Sequence, residues 1–179
     1  AEMPEVLYRE PLLYQGGSDV LIGAKDDILL ADDSWGLDIE AEIGVITDDV
    51  PMGTTVEEAE KHIKFVVLIN DVSLRNVMKP ELLKGFGFYQ SKPATAFSPV
   101  VVTPEALGAA WKGSHLALPV SSYINGEHLG SPNSGIDLNF NFCQIIAHAA
   151  KTRDLAAGTI IGSGTVSNRN HQEVGSSCL

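Results

Sequence analysis

Thiols are scarce in this chain: Cys143 and Cys178 are its two cysteines in 179 residues. They form no CxxC pair, so neither a disulfide framework nor a thiolate zinc site is written here. A reduced, cytoplasmic setting is the expectation. Basic residues are also few, with 12 Lys and Arg against 23 Asp and Glu and a formal charge of -11. So acidic a surface repels phosphate backbones and anionic lipid, which argues against nucleic acid and membrane surfaces as partners. No apolar run approaches the roughly 18 residues that a bilayer span needs. Internal repeats and low-complexity tracts are missing as well.

What is present suits one globular domain. The hydrophobic fraction is 44% and the charged fraction 20%, ordinary values for a chain long enough to bury a core. The chain opens in loop-like sequence, Ala1-Glu2-Met3-Pro4. It stops at Ser176-Ser177-Cys178-Leu179, which reads as the start of a strand. The expectation is therefore a single domain over 1–179, incomplete at both ends.

Residues 1–24 read as irregular, with a turn at Gly16-Gly17, and Asp27 to Ala31 as a short strand. Asp38 to Thr47 alternates carboxylates with apolar residues, the period of a strand. Thr54 and Glu57 are spaced as a capping box, so a helix is expected from Thr54, with Ala59, Ile63 and Val66 on one face. Phe65 to Asn70 reads as a buried strand. The stretch 74–91, with Pro80, Gly85 and Gly87, reads as a mobile loop able to close over a substrate. Val100 to Val102 reads as a strand, and Pro104 opens a short helix. Asn125-Gly126 predicts a type I′ hairpin between Leu116–Ile124 and Glu127–Leu129. Asp137 is expected to cap a helix running through Gln144 and His148 to about Lys151, and Thr159 to Ile161 to form a strand. Short strands dominate, which predicts a mixed α+β fold, mostly β.

The carboxylates carry the chemistry. Glu40 and Glu42 stand two apart on one predicted strand, so both point to one face, with Asp38 beside them. Ile39, Ala41, Ile43 and Val45 take the opposite face. Two readings are open. One is a strand with a solvated acidic face. The other is a site for a hard cation, which would relieve the repulsion between neighbouring carboxylates. Asp71, directly after the apolar run ending at Asn70, is either the cap of a turn or a third member of the set. Three carboxylates would leave cation positions open to substrate oxygens and water.

Four segments in order give a resemblance. Asp38-Ile39-Glu40-Ala41-Glu42, Asn70-Asp71-Val72-Ser73-Leu74-Arg75, Ser91-Lys92-Pro93 and Gly162-Ser163-Gly164-Thr165 resemble successive motifs of the fumarylacetoacetate hydrolase family, in its bacterial fumarylacetoacetase-like branch. The likeness runs from about Tyr14 onward. It implies a catalytic domain of mixed strands rolled around a compact, barrel-like core, in a homodimer. It also implies roles: Glu40, Glu42 and Asp71 as ligands of a divalent cation, Mg²⁺ or Mn²⁺ with Ca²⁺ as a third choice. Lys92 and Arg75 are the implied catalytic cations, and Tyr14 and Thr165 the implied substrate contacts. The implied partner is a small diketo acid. The implied reaction is cleavage of a C–C bond in a 1,3-diketo acid, with fumarylacetoacetate of tyrosine and phenylalanine breakdown first. Acylpyruvate hydrolysis, oxaloacetate-type decarboxylation and a catalytically silent metal-binding domain are the alternatives. The family's upstream water-activating histidine, the glutamate that holds it and a further upstream aspartate have no match here. Its glutamine and tyrosine contacts fall near Met78 and Leu82.

The five histidines, His62, His115, His128, His148 and His171, otherwise read as surface, core or interface residues; His62 is expected on a solvated helix, and His171 is the one that could approach the site. Gly162-Ser163-Gly164-Thr165 lacks the spacing and lysine of a phosphate loop.

Overall fold

Branched apolar residues and two-residue alternation give this chain nine short strands among the described residues, separated by brief helical turns. The computed structural model describes residues 4–179. In chain order the strands are β1 (Leu21–Gly23), β2 (Leu37–Asp38), β3 (Ala41–Thr47), β4 (Ile63–Asn70), β5 (Ser73–Leu74), β6 (Thr95–Phe97), β7 (Ser122–Ile124), β8 (Glu127–Gly130) and β9 (Ile160–Gly162). The α-helices are α1 (Val6–Arg9), α2 (Val56–Ala59), α3 (Arg75–Lys84), α4 (Phe142–Ala149) and α5 (His171–Val174). The fold is mixed α+β with a mostly-sheet core, as expected.

Five strands form one sheet in the order β1-β6-β4-β3-β9, with β2-β5 and β7-β8 as separate pairs. Among the described residues this sheet is open, with β1 and β9 as its edges, so the expected barrel-like roll is not a closed barrel. Its spine is the antiparallel pair β3–β4, in register from Ala41 opposite Asn70 to Val45 opposite Val66. That register sets Asp71, the residue after β4, beside Glu40, and the Asp71 N–H donates to the Glu40 carbonyl at 2.9 Å.

The core lies on one side of this spine. Ile43, Val45, Val66 and Ile161 pack with Phe142, Ile145 and Ile146 of α4. Helix α4 begins at a capping box, in which the Asn141 side chain accepts the Gln144 N–H and the Gln144 side chain accepts the Asn141 N–H. Two helix-end donors are thereby satisfied. Asp137 is therefore not the cap of this helix; its carboxylate instead accepts the Arg169 N–H.

Several local expectations shift. Residues 27–31 form no strand, and a short strand lies earlier at β1. The capping box before α2 is Thr55 with Glu58, one residue beyond the expected pair. Ile63 and Val66 belong to β4, although they do bury beside Ala59. On β4, Phe65 and Leu68 are exposed, so that strand is not buried throughout. Residues 100–102 contribute one bridge, Val66 to Val102. The stretch 74–91 is largely helix α3, which carries Pro80 within it; only 85–91 is loop. The hairpin β7–β8 turns at Asn125 and Gly126 with φ of 52° and 84°, as the Asn-Gly pair predicts. His62 is buried, with Nδ1 2.6 Å from Asp48 Oδ1, so it is not solvated.

Candidate metal centre and active site

Strand β3 is buried on both faces, and this removes the solvated-face reading of its acids. Ile43 and Val45 enter the apolar core on one side. Asp38, Glu40, Glu42 and Asp71 are all buried. One carboxylate oxygen from each of Glu40, Glu42 and Asp71 lies within 4.8 Å of the others. The expected strand over 38–47 is broken: Glu42 lies on β3, Glu40 falls between β2 and β3, and the β3–β4 register brings Asp71 alongside Glu40.

Two cations are fitted among them. Lys92 Nζ donates to Glu40 Oε2 at 2.8 Å, Asp71 Oδ2 at 2.8 Å and Ser73 Oγ at 2.7 Å. Arg75 contacts Asp38 Oδ2 through Nε and Nη2, each at 2.6 Å, and Glu40 Oε1 through Nη1 at 2.8 Å. Glu40 thus gives one oxygen to each cation. Tyr14 donates its hydroxyl to Asp71 Oδ2, and its ring lies 5.5 Å from Lys92 Nζ. The same ring meets Phe88 edge-on at 5.0 Å.

The charges do not balance. Asp38, Glu40, Glu42 and Asp71 bring four formal negative charges against the two of Lys92 and Arg75. The surplus shows at Glu42. Burial, then the nearby charges of Asp71 and Glu40, push its carboxyl up to about 8 against the pull of Lys92 and the Gly164 N–H. A buried, all-oxygen donor set with more carboxylates than cations fits a hard divalent cation.

Glycine makes room for this arrangement. On β9, Gly162 pairs with Gly44 of β3. A Cβ at Gly162 would stand 2.4 Å from Glu42 Oε2. Gly164, with φ of 76°, donates its N–H to the same oxygen at 3.2 Å.

Of the residues expected at the site, Tyr14, Glu40, Glu42, Asp71, Arg75 and Lys92 come together through the contacts above. Thr165 is half-buried on the turn after Gly164. His171 lies exposed at the start of α5 and, among the described residues, its side chain makes no hydrogen bond to the cluster. Sequence reasoning missed Asp38 as the partner of Arg75, Ser73 as a partner of Lys92, and Glu81. Ser73 was findable, because it stands two residues after Asp71 as Glu42 does after Glu40.

Comparison with known proteins agrees with the fold. The structure resembles fumarylpyruvate hydrolase from Pseudomonas aeruginosa in complex with Mn²⁺ and pyruvate, with a TM-score of 0.70 and 18% identity over 88% of this chain and 68% of that one. It also resembles fumarylacetoacetate hydrolase from Exiguobacterium antarcticum, with a TM-score of 0.58 and 26% identity over 72% of this chain and 44% of that one. In sequence it is 27% identical over 159 residues to 2,4-didehydro-3-deoxy-L-rhamnonate hydrolase of a Sphingomonas species, covering 87% of this chain and 53% of the relative. It is 26% identical over 167 residues to oxaloacetate tautomerase YisK of Bacillus subtilis, covering 93% and 51%. The chain spans about half the length of these curated relatives. The profile described as fumarylacetoacetate (FAA) hydrolase C-terminal matches residues 1–176, and the chain belongs to that family.

Proposed function

We propose that this chain is a single catalytic domain, part of a longer cytoplasmic, homodimeric enzyme that cleaves a C–C bond in a small 1,3-diketo acid. Fumarylacetoacetate, an intermediate of tyrosine and phenylalanine breakdown, is the first substrate to test, and acylpyruvates the next. The observation that carries the reading is the convergence of Glu40, Glu42 and Asp71 within 4.8 Å, buried and short of positive charge. The names of two relatives, a fumarylpyruvate hydrolase holding Mn²⁺ with pyruvate and a hydrolase of a deoxy sugar acid, lend support.

In this reading Glu40, Glu42 and Asp71 would hold Mg²⁺ or Mn²⁺, with Ca²⁺ less suited to so few protein oxygens. The ion would supply Lewis-acid polarisation of a substrate carbonyl. Lys92 and Arg75 present fixed positive charge to the negative charge that develops as the C–C bond breaks. Water adds to the carbonyl carbon, the bonding pair leaves with the departing carbon, and that carbon takes a proton. Tyr14 and Lys92 each carry a proton on an atom hydrogen-bonded to Asp71. Tyr14 and Thr165 contact substrate, and the Phe88 side of loop 85–91 limits access of bulk water.

A second reading draws on a relative's name. Tautomerisation or decarboxylation of an oxo acid needs no activated water, and a relative carries the name oxaloacetate tautomerase. Assays with fumarylacetoacetate, acylpyruvates and oxaloacetate, with and without Mg²⁺ or Mn²⁺, separate the two. Metal-dependent C–C hydrolysis, lost in Glu42→Ala and Asp71→Ala, supports the first. Metal-dependent turnover of oxaloacetate alone supports the second. No metal-dependent turnover of any of them removes both and leaves a catalytically silent metal-binding domain.

A further inference from the structure

Helix α3 has an inverted pattern. Leu82 and Leu83 are exposed, and Glu81 is its buried residue. A buried carboxylate is costly unless hydrogen bonds replace its water. Every partner of Glu81 comes from one short segment. It accepts the N–H of Tyr89 at 3.1 Å, of Gln90 at 2.8 Å and of Ser91 at 3.1 Å, and the Ser91 hydroxyl at 2.5 Å. Ser91 is itself fully buried, and its carbonyl accepts the Leu74 N–H at 2.9 Å. The next residue is Lys92.

We propose that Glu81 is a positioning residue that fixes the backbone of 89–91 and so aims Lys92 at Glu40 and Asp71. Before this anchored stretch the loop reaches solvent at Phe86, turns at Gly85 and Gly87 with φ of 76° and 91°, and returns to the Tyr14 ring at Phe88. The chain between α3 and Lys92 is therefore pinned at its last residues by Glu81. The same helix opens with Arg75, which holds the other oxygen of Glu40. One helix thus sets both cations of the cluster, Arg75 directly and Lys92 through Glu81. The consequence for catalysis rests on the function proposed above; the positioning itself does not.

Competitive acetylation of the lysines in metal-free buffer, read lysine by lysine by mass spectrometry, tests this. In the wild type Lys92 labels slowly, because it is buried and triply hydrogen-bonded. In Glu81→Gln it labels about tenfold faster, as expected for losing charge-assisted hydrogen bonds, while Lys61, Lys112 and Lys151 keep their rates. Ser91→Ala, which removes the hydroxyl donor alone, moves Lys92 the same way by less. The proposal is overturned if Lys92 in Glu81→Gln gains less than twofold, or no more than the other lysines gain. Mn²⁺ titration gives a second readout. Glu81→Gln and Lys92→Met each shift the Mn²⁺ dissociation constant, and the double variant shifts it no further than Lys92→Met alone; additive shifts would contradict action through Lys92. Failure of wild-type protein to bind Mn²⁺ would defeat the metal reading, and the labelling would then judge Glu81 by itself.

Discussion

Replacing Gly162 by alanine tests the placement of Glu42 without touching any carboxylate. The added Cβ would lie 2.4 Å from Glu42 Oε2, where ordinary contact is 3.4–4 Å. The atom in the way is the end of a flexible side chain, so the strand keeps its place and the carboxylate retreats by about 1 Å. Metal sites tolerate ligand displacements of about 0.2 Å, so Glu42 leaves the donor set. Changes around a ligand typically weaken metal binding about 10–100-fold. At Mn²⁺ concentrations 100 times the wild-type dissociation constant, binding stabilises the wild type by about 2.7 kcal/mol. The same concentration would stabilise Gly162→Ala by about 0.4–1.4 kcal/mol. For a domain of this size each kcal/mol moves the midpoint by about 2–4 °C, so the Mn²⁺-induced rise in Tm falls by several degrees. Gly44→Ala is the control. Gly44 pairs with Gly162, but its Cβ would meet Ile69 Cδ1 at 2.4 Å and Val67 Cγ1 at 3.0 Å. It should cost about 1–3 kcal/mol of stability through overpacking and keep most of the Mn²⁺ response. An unchanged Mn²⁺ response in Gly162→Ala, or an equal loss in both variants, would refute the reasoning.

Three further outcomes are expected. Ile146→Ala empties a fully buried position in the core beneath β3 and should lower the unfolding free energy by about 2–5 kcal/mol in urea titrations. Asn141→Ala removes the capping box of α4 and should cost about 1 kcal/mol in the same titrations. The third concerns acid. Burial would raise the Glu81 carboxyl, but the Ser91 hydroxyl and the N–H groups of residues 89–91 hold it at about 2 instead of its ordinary 4.5. A depressed folded value means that protonation favours the unfolded chain. The stability Glu81 contributes is therefore complete above about pH 4.5 and lost as pH falls toward 2. The stability gap between wild type and Glu81→Gln, followed by circular dichroism, should narrow across that window; a gap independent of pH would contradict the hydrogen bonding described.

Two-residue spacing made part of this molecule legible in its sequence. It put Glu40 and Glu42 together, as they are, although the expected strand breaks at Glu40, between β2 and β3. The Asn125-Gly126 hairpin was equally plain, because few dipeptides adopt two positive φ angles in succession. Helix α3 was not legible. Pro80, Gly85 and Gly87 argue locally for loop, but the ion pairs of Arg75 and the hydrogen bonds of Glu81 hold the segment at both ends, and these are tertiary contacts. Asp137 looked like a helix cap by residue type, whereas Asn141 won by standing three residues before Gln144. Nothing in the sequence around Gly162 gave its reason; the nearness of the Glu42 carboxylate exists only once β9 lies beside β3.

Anomalous diffraction from crystals grown with Mn²⁺ examines the central claim without an assay of turnover. One strong peak is predicted, within bonding distance of oxygens from Glu40, Glu42 and Asp71, and absent from crystals of Asp71→Ala. A well-occupied peak elsewhere, or a metal-saturated crystal in which those three side chains bind nothing in common, would contradict it.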